Sequence, residues 1–265
     1  MSAIKEMVRL RGGIGSLDRS LQKKITRADL AGAADSVVVP YLEPLPRSMA
    51  STSSTLTVSE PGPLVDTLQS ILIQCSVCRE LRREFSRLLR LNKAIDRVLN
   101  NYDGPLNSCT LDNDFIELQQ KLLLWRNTEE SLLNEACRLG ALIYSKSMTR
   151  SMNTLSKRST TLVQKLLNSL AGFCLKPAVI PLTIWLCFMG SIAVPACSSQ
   201  RKWFVDCLAK TRTFSSKFCT WKDVETLLSN MLWVPQIHES LFKQVWSDKH
   251  YRLDSQDQKS LEEEF

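Results

Sequence analysis

Residues 181–195 read Pro-Leu-Thr-Ile-Trp-Leu-Cys-Phe-Met-Gly-Ser-Ile-Ala-Val-Pro, an apolar segment between two prolines. It lies inside 177–200, where 24 consecutive residues carry no charge. Because proline interrupts a helix, only the 13 residues between the two prolines can continue one, about 20 Å of helix against a hydrocarbon core of about 30 Å. The segment therefore predicts a helix buried in a protein core. A membrane-associated helical protein anchored through 177–200 is the alternative.

Helical spacing extends outward from this segment over most of the chain. Leucines and aromatic residues recur three and four positions apart, as in Leu81, Phe85 and Leu88, which places them on one helix face. Strand-like alternation is scarce, and a chain of 265 residues can bury a core without disulfides or metals. The sequence predicts an all-α protein, an irregular multi-helix bundle of roughly nine to ten helices with one long Pro/Ser/Thr-rich loop.

Composition divides the chain into four segments. Residues 1–36 form an N-terminal helical segment. Residues 37–63 contain five of the ten prolines and a Ser/Thr-rich run, which favours a flexible loop because such a composition buries little apolar surface. Residues 64–252 form the main helical domain, and 253–265 form an acidic tail.

Three helix starts are predicted from polar residues at capping spacing. Thr26 with Asp29 matches a capping box, which would open a helix through Asp35. Thr128 is expected to cap the helix that follows it. Thr220 with Asp223 forms a second capping box ahead of an apolar run.

Charge and cysteine usage limit the class of protein. The formal net charge is only +7, and acidic residues are interspersed with basic ones, whereas a nucleic-acid binder usually concentrates its charge in a stripe. The nine cysteines are an odd number scattered through apolar stretches, and 1–15 has no apolar run of the kind found in a signal peptide. Reduced thiols in the cytosol or nucleus are therefore expected.

Cys75 and Cys78 form a lone Cys-x-x-Cys pair. A structural zinc site needs about four ligands, but the next cysteine is Cys109 and neither histidine is near in sequence. The pair also falls within a leucine pattern over 64–99, where residues three apart share one helix face. Two buried thiols, and no metal site, are predicted.

The chain offers few residues for catalysis. His238 and His250 are the only histidines, and both are expected at the surface or in capping roles, the first near a helix start and the second near a helix end. The glycines of 11–15 lack the preceding strand that a phosphate-binding loop requires. No catalytic, cofactor-binding or metal-binding residue is predicted, and an enzyme would have to depend on Tyr144 or His238.

A basic run and a group of tryptophans are candidate binding surfaces. Glu80 and Glu84 are interleaved with the basic run and can pair with its arginines, so a solvated helix face is favoured over a DNA contact. The run contains Arg79, Arg82, Arg83, Arg87 and Arg90. The tryptophans lie within amphipathic helical patterns, where core packing is the expected role and a ligand pocket is not indicated. They are Trp203, Trp221, Trp233 and Trp246.

Several segments, in order along the chain, resemble the large helical regulatory domain of fungal zinc-cluster transcription factors. Residues 7–13 (MVRLRGG) are similar to that family's M-V-x-x-R-G-G segment, and 136–144 (ACRLGALIY) to its A-x-R-L-A/G-A-L-I-Y helix. Residues 185–190 (WLCFMG), 201–204 (RKWF) and 221–233 (WKDVETLLSNMLW) resemble its C-terminal blocks.

The resemblance implies a regulatory domain without its DNA reader. The family's zinc-cluster module uses six cysteines near the N-terminus, yet no cysteine precedes Cys75, and the chain starts as if the first helices of the domain were missing. A truncated, non-enzymatic regulator is therefore expected, located in the nucleus or nucleocytoplasmic. It would act through transcription-machinery or self-association contacts, with no cofactor, no membrane contact and no direct DNA binding.

Overall fold

The computed structural model describes residues 2–42, 63–100, 108–125, 130–148, 160–172, 176–214 and 216–262. These residues contain eleven α-helices and no strand, which confirms the predicted all-α class with one or two helices more than predicted. Short 3-10 turns lie at Ile14–Ser16, Pro177–Val179 and Ser216–Phe218. The helices are α1 Ser2–Leu10, α2 Arg19–Ser36, α3 Pro63–Gln74, α4 Arg79–Leu99, α5 Ser108–Leu124, α6 Leu132–Met148, α7 Thr160–Ala171, α8 Ile180–Ile192, α9 Ser199–Phe214, α10 Trp221–Ser229 and α11 Pro235–Glu262.

Helix α8 is the centre of the bundle. All of its residues except Pro181 and Ile192 are buried, and it packs against α3, α6, α7, α9 and α11. A helix that is apolar on every side needs protein on every side, and these five helices supply it. Ile184 and its neighbours therefore face protein, as the core-helix interpretation predicts. Among the described helices, none combines the length and apolarity needed to cross a membrane.

Helices α8 and α9 approach closely at Gly190. A Cβ atom on this residue would lie 2.6 Å from two ring carbons of Phe204, well inside van der Waals contact. Both residues are buried, and the Phe204 side chain is 0 % exposed. The absence of a side chain at position 190 is therefore what allows the α9 aromatic ring to lie directly on the α8 backbone.

Helix α6 joins helices from the earlier and later parts of the chain. It contacts α4, α5, α7 and α8. The buried Arg138 donates from Nε to Glu135 at 2.8 Å and from Nη1 to the carbonyl of Leu122 at 3.1 Å. Because Leu122 lies in the last turn of α5, Arg138 satisfies a backbone group that the helix end leaves unpaired. Gly140 leaves room on the same helix for the ring of Trp185, 3.0 Å from an added Cβ.

Ion pairs join helices that are distant in sequence. Arg201 of α9 donates from Nε and Nη2 to Asp248 of α11 at 3.0 and 2.8 Å. Lys146 of α6 pairs with Asp35 of α2. The Arg201 side chain is 8 % exposed, so breaking this pair would leave a nearly buried charge without its counter-ion.

The predicted helix starts have different outcomes. Thr220 and Asp223 form the complete capping box at α10, as predicted. Thr26 does not start a helix, because α2 begins at Arg19 with the side chain of Asp18 accepting from Leu21 N at 2.9 Å. Thr26 is instead buried in mid-helix.

The cap predicted at Thr128 lies outside the described residues. At the described start of α6, Ser131 Oγ accepts from Asn134 N at 3.3 Å, so a serine three residues further on caps this helix.

The last helix continues through Glu262, across the predicted boundary at residue 252. His250 therefore lies inside a helix and not near its end, which corrects the prediction. Most of the predicted 37–63 loop falls outside the described residues. The division of the chain at 36, 63 and 252 stays a prediction.

Replacing Gly190 with alanine should lower the free energy of unfolding by about 2 kcal/mol, because the added methyl group meets the rigid ring of Phe204. Urea denaturation followed by circular dichroism measures the change. Gly15→Ala is the matched control, since a Cβ at that position meets nothing within 4 Å. Equal free energies of unfolding for the two variants would show that α8 and α9 can move apart without loss of stability.

Candidate functional site in the buried polar network

The turn between α10 and α11 is buried and held by side chains from three helices. Met231, Leu232, Trp233 and Val234 are all buried, so their backbone polar groups need partners inside the protein. The carbonyl of Leu232 accepts from Trp185 Nε1 of α8 at 3.0 Å. The carbonyl of Trp233 accepts from Asn92 Nδ2 of α4 at 2.8 Å.

The same network continues into α6. Tyr144 is fully buried, and its hydroxyl donates to Asn92 Oδ1. Its ring stacks on the imidazole of His238, with 5.3 Å between ring centroids. Ser147, one turn further along α6, lies 3.0 Å from His238 Nε2. Helices α4, α6 and α11 therefore meet at one set of hydrogen bonds.

Hydrogen-bond geometry fixes the proton on His238. Val234 N donates to Nδ1 at 3.2 Å, so Nδ1 is an acceptor and the proton lies on Nε2. Ser147 Oγ donates to the carbonyl of Tyr144 at 2.7 Å and can accept from Nε2. In a hydrolytic pair the imidazole must accept the serine proton. Here both nitrogens have the opposite roles, so His238 Nε2 is not placed to accept a proton from Ser147.

Burial also holds His238 neutral. The residue is 0 % exposed, and burial lowers the pKa of its imidazole from the ordinary 6.5 to about 3. Protonation would place an N–H at Nδ1 facing the N–H of Val234. The prediction of a surface role was wrong for this residue, whereas the contact with Val234 at the start of α11 is a capping role.

Aromatic rings cover the network on the side of α10 and α11. Trp221 contacts Trp233 at 6.3 Å and Trp246 at 6.1 Å, measured between ring centroids. Phe188 of α8 stacks on Phe242 of α11 at 4.7 Å. Trp233 and Trp246 are buried, and Trp203 and Trp221 are half-buried. The tryptophans therefore pack the core, as predicted, although Trp233 lies in the turn between α10 and α11 and not in a helix.

The Cys-x-x-Cys pair lies in the turn between α3 and α4 and not on one helix face, and Cys75 is buried whereas Cys78 is half-buried, so the prediction of two buried thiols holds only for Cys75. Cys75 Sγ donates to the carbonyl of Ala178 at 3.3 Å, and burial raises the pKa of its thiol to about 11. Cys137 is buried beside the pair, and burial raises its pKa as well. A metal needs the thiolate, and no metal-ligand cluster is found among the described residues.

The model of the fungal specific transcription factor domain matches residues 45–231, well over half of the chain. The chain belongs to this family. No curated protein and no solved structure matches the chain. The match agrees with the resemblance found at 136–144, 185–190 and 201–204, which lie inside it. The similarity at 7–13 lies outside the matched residues.

Two of the segments that resemble the fungal transcription factor domain contribute residues to these helix contacts. Residues 136–144 supply Arg138, which holds the end of α5, and Tyr144, which enters the network. Residues 185–190 supply Trp185, which holds the buried turn, and Gly190, which admits Phe204. These segments therefore position helices against one another.

Sequence reasoning missed Asn92 and Ser147. Both are buried polar residues on helices whose other buried positions are largely apolar. The signal available in the sequence is the position of Asn92. At about 100° per residue it lies 220° around the helix from Arg79, which places this polar residue on the leucine face of α4. Such a residue is tolerated only when its hydrogen bonds are satisfied, and its partners came from helices distant in sequence.

Removing the hydroxyl of Tyr144 should leave Asn92 Oδ1 without its donor. Tyr144→Phe is expected to lower the free energy of unfolding by about 1–3 kcal/mol. Asn92→Ala and the double variant complete the cycle, with an expected coupling of about 1 kcal/mol or more. Purely additive effects in urea denaturation would contradict a shared network.

Acid should destabilise the domain through His238. Its pKa is about 3 in the folded state and 6.5 in an unfolded chain, so between these values the unfolded chain binds more protons and stability falls with falling pH. From pH 7.5 to pH 5 the loss should be about 2 kcal/mol. His238→Gln keeps a donor for Ser147 but does not titrate, so its unfolding free energy should fall less over this range. Parallel pH profiles for the two proteins would contradict the assignment.

Proposed function

We propose that this domain regulates transcription through protein–protein contacts, in the nucleus or in both nucleus and cytoplasm, and that these 265 residues do not themselves read a DNA sequence. Membership of the fungal specific transcription factor domain family carries the proposal. Transcription-machinery proteins or a second copy of the chain are the proposed partners.

A non-enzymatic role is part of the proposal, and the polar network supports it. Tyr144 and His238 are the two residues on which a catalytic function would depend, and both are fully buried. Their polar atoms contact Asn92, Ser147 and Val234, so these groups are used in holding helices together. Buried polar groups that are fully paired in this way specify one packing arrangement.

Tethering tests the regulatory role. The chain fused to a heterologous DNA-binding domain should change the output of a reporter gene that carries the corresponding site, relative to the DNA-binding domain alone. The fusion with Gly190→Ala should lose the effect as the fold is destabilised, while Gly15→Ala should retain it. A reporter that responds to neither the folded fusion nor its variants would contradict a regulatory role.

A selection from randomised duplexes tests the absence of a DNA reader. The purified chain should enrich no sequence motif over successive rounds. An enriched motif would show that the chain reads bases and would overturn that part of the proposal.

A further inference from the structure

Helix α4 exposes a straight row of arginines to solvent. At about 100° per residue, Arg79, Arg83, Arg90 and Arg97 lie within about 40° of one another around the helix axis. All four are exposed. At about 1.5 Å per residue the row is about 27 Å long. We call these four residues the arginine row.

The carboxylates that interleave with these arginines in sequence lie off the row. Glu80 is exposed about 60° from Arg83, and Glu84 is half-buried about 100° from it. Neither forms an ion pair with a member of the row. Arg87, which lies at the flank of the row, instead forms ion pairs with two carboxylates of α5, Glu117 at 2.9 Å and Asp114 at 3.7 Å.

The row itself remains unneutralised. In the described part of the chain, none of its four guanidinium groups forms an ion pair or a side-chain hydrogen bond. The residues beside it on the helix are Ser86, whose hydroxyl accepts from Gln69 Nε2 of α3 at 2.7 Å, and the half-exposed Lys93, which adds a further positive charge. Arg82, further around, is half-buried. The charged side chains on this face of α4 are therefore all positive, and the acidic residues Glu80 and Glu84 of the same helix lie at its edges.

The chemistry of the row favours a phosphate polyanion over a peptide. Protein interfaces centre on buried aromatic or aliphatic anchors, but the exposed Leu99 of α4 lies about 160° from the nearest member of the row. Arginine presents a planar fork that pairs with phosphate oxygens in two hydrogen bonds. Duplex DNA offers one negative charge per about 1.7 Å of axis, so a 27 Å row can contact several phosphates.

We propose that the arginine row of α4 binds the phosphate backbone of duplex DNA without reading its sequence. Phosphate contacts position a protein on the duplex but carry no base information. The proposed function does not require this contact, since a regulator that lacks a reader can act through proteins alone. The contact would lengthen the time that the chain stays bound to DNA near a partner protein that does read bases.

The test uses fluorescence anisotropy with two labelled 20-base-pair duplexes of unrelated sequence at 50–200 mM salt. The full chain should bind both equally, and the logarithm of the binding constant should fall with the logarithm of salt concentration with a slope of about −3 to −4. The triple variant Arg83→Glu, Arg90→Glu, Arg97→Glu should weaken binding at least tenfold.

A charge-matched control separates the row from net charge. Arg11→Glu, Arg19→Glu and Lys222→Glu alter three exposed residues on other parts of the chain and change the formal charge equally. This variant should bind within about threefold of the unaltered chain. Its three residues lie outside the arginine row, and at about 0.1 M salt screening limits the reach of a charge to about 10 Å. Superimposable unfolding curves establish that both triple variants fold. If the variant with glutamates in the arginine row does not fold, the variant Arg83→Gln, Arg90→Gln, Arg97→Gln replaces it.

Four outcomes would overturn the proposal. They are no binding by the unaltered chain at 50 mM salt, equal loss in both triple variants, no loss in the row variant, and row-dependent binding of a polyglutamate peptide in place of DNA. The reporter experiment contains no step that depends on these arginines, so failure here leaves the regulatory role standing, and failure there leaves this contact standing.

Discussion

The fold depends on enclosing one helix completely. Helix α8 is buried on nearly every face and is only 13 residues long, so it needs neighbours on all sides. Helices α7 and α9, which precede and follow it in the chain, and α3, α6 and α11, which come from more distant segments, provide them. Two local adjustments make the enclosure tight. Gly190 allows the ring of Phe204 onto the helix, and Gly140 allows the ring of Trp185 against α6.

Enclosing α8 also buries the turn that follows α10, and that burial explains the polar network. Backbone groups removed from water must find partners, or they destabilise the fold by about 1–3 kcal/mol each. Trp185, Asn92 and His238 provide those partners for residues 232–234. The domain therefore uses Tyr144 and His238, the side chains best suited to catalysis, to join helices. This use agrees with a family whose role is regulation.

Charge is handled in two ways in the same structure. At the helix interfaces, Arg138, Arg201 and Lys146 are each paired with a carboxylate, because an unpaired charge there would lose its hydration without compensation. On the outer face of α4 the arginines remain in water, where leaving them unpaired requires no desolvation. The difference locates the surface on which a polyanion could bind without disturbing the core.

The sequence by itself determined the helical class, the capping box at Thr220 and the helix at α8, since these follow from side-chain spacing and local hydrogen bonds. It also indicated the family. Tertiary structure alone decided that His238 is buried and neutral, and that Asn92 and Ser147 belong to the same hydrogen-bonded network. It also decided that Arg87 pairs with α5. Local pattern fixes which face of a helix is apolar, but the partner of a buried polar atom is chosen by helices that meet only after folding.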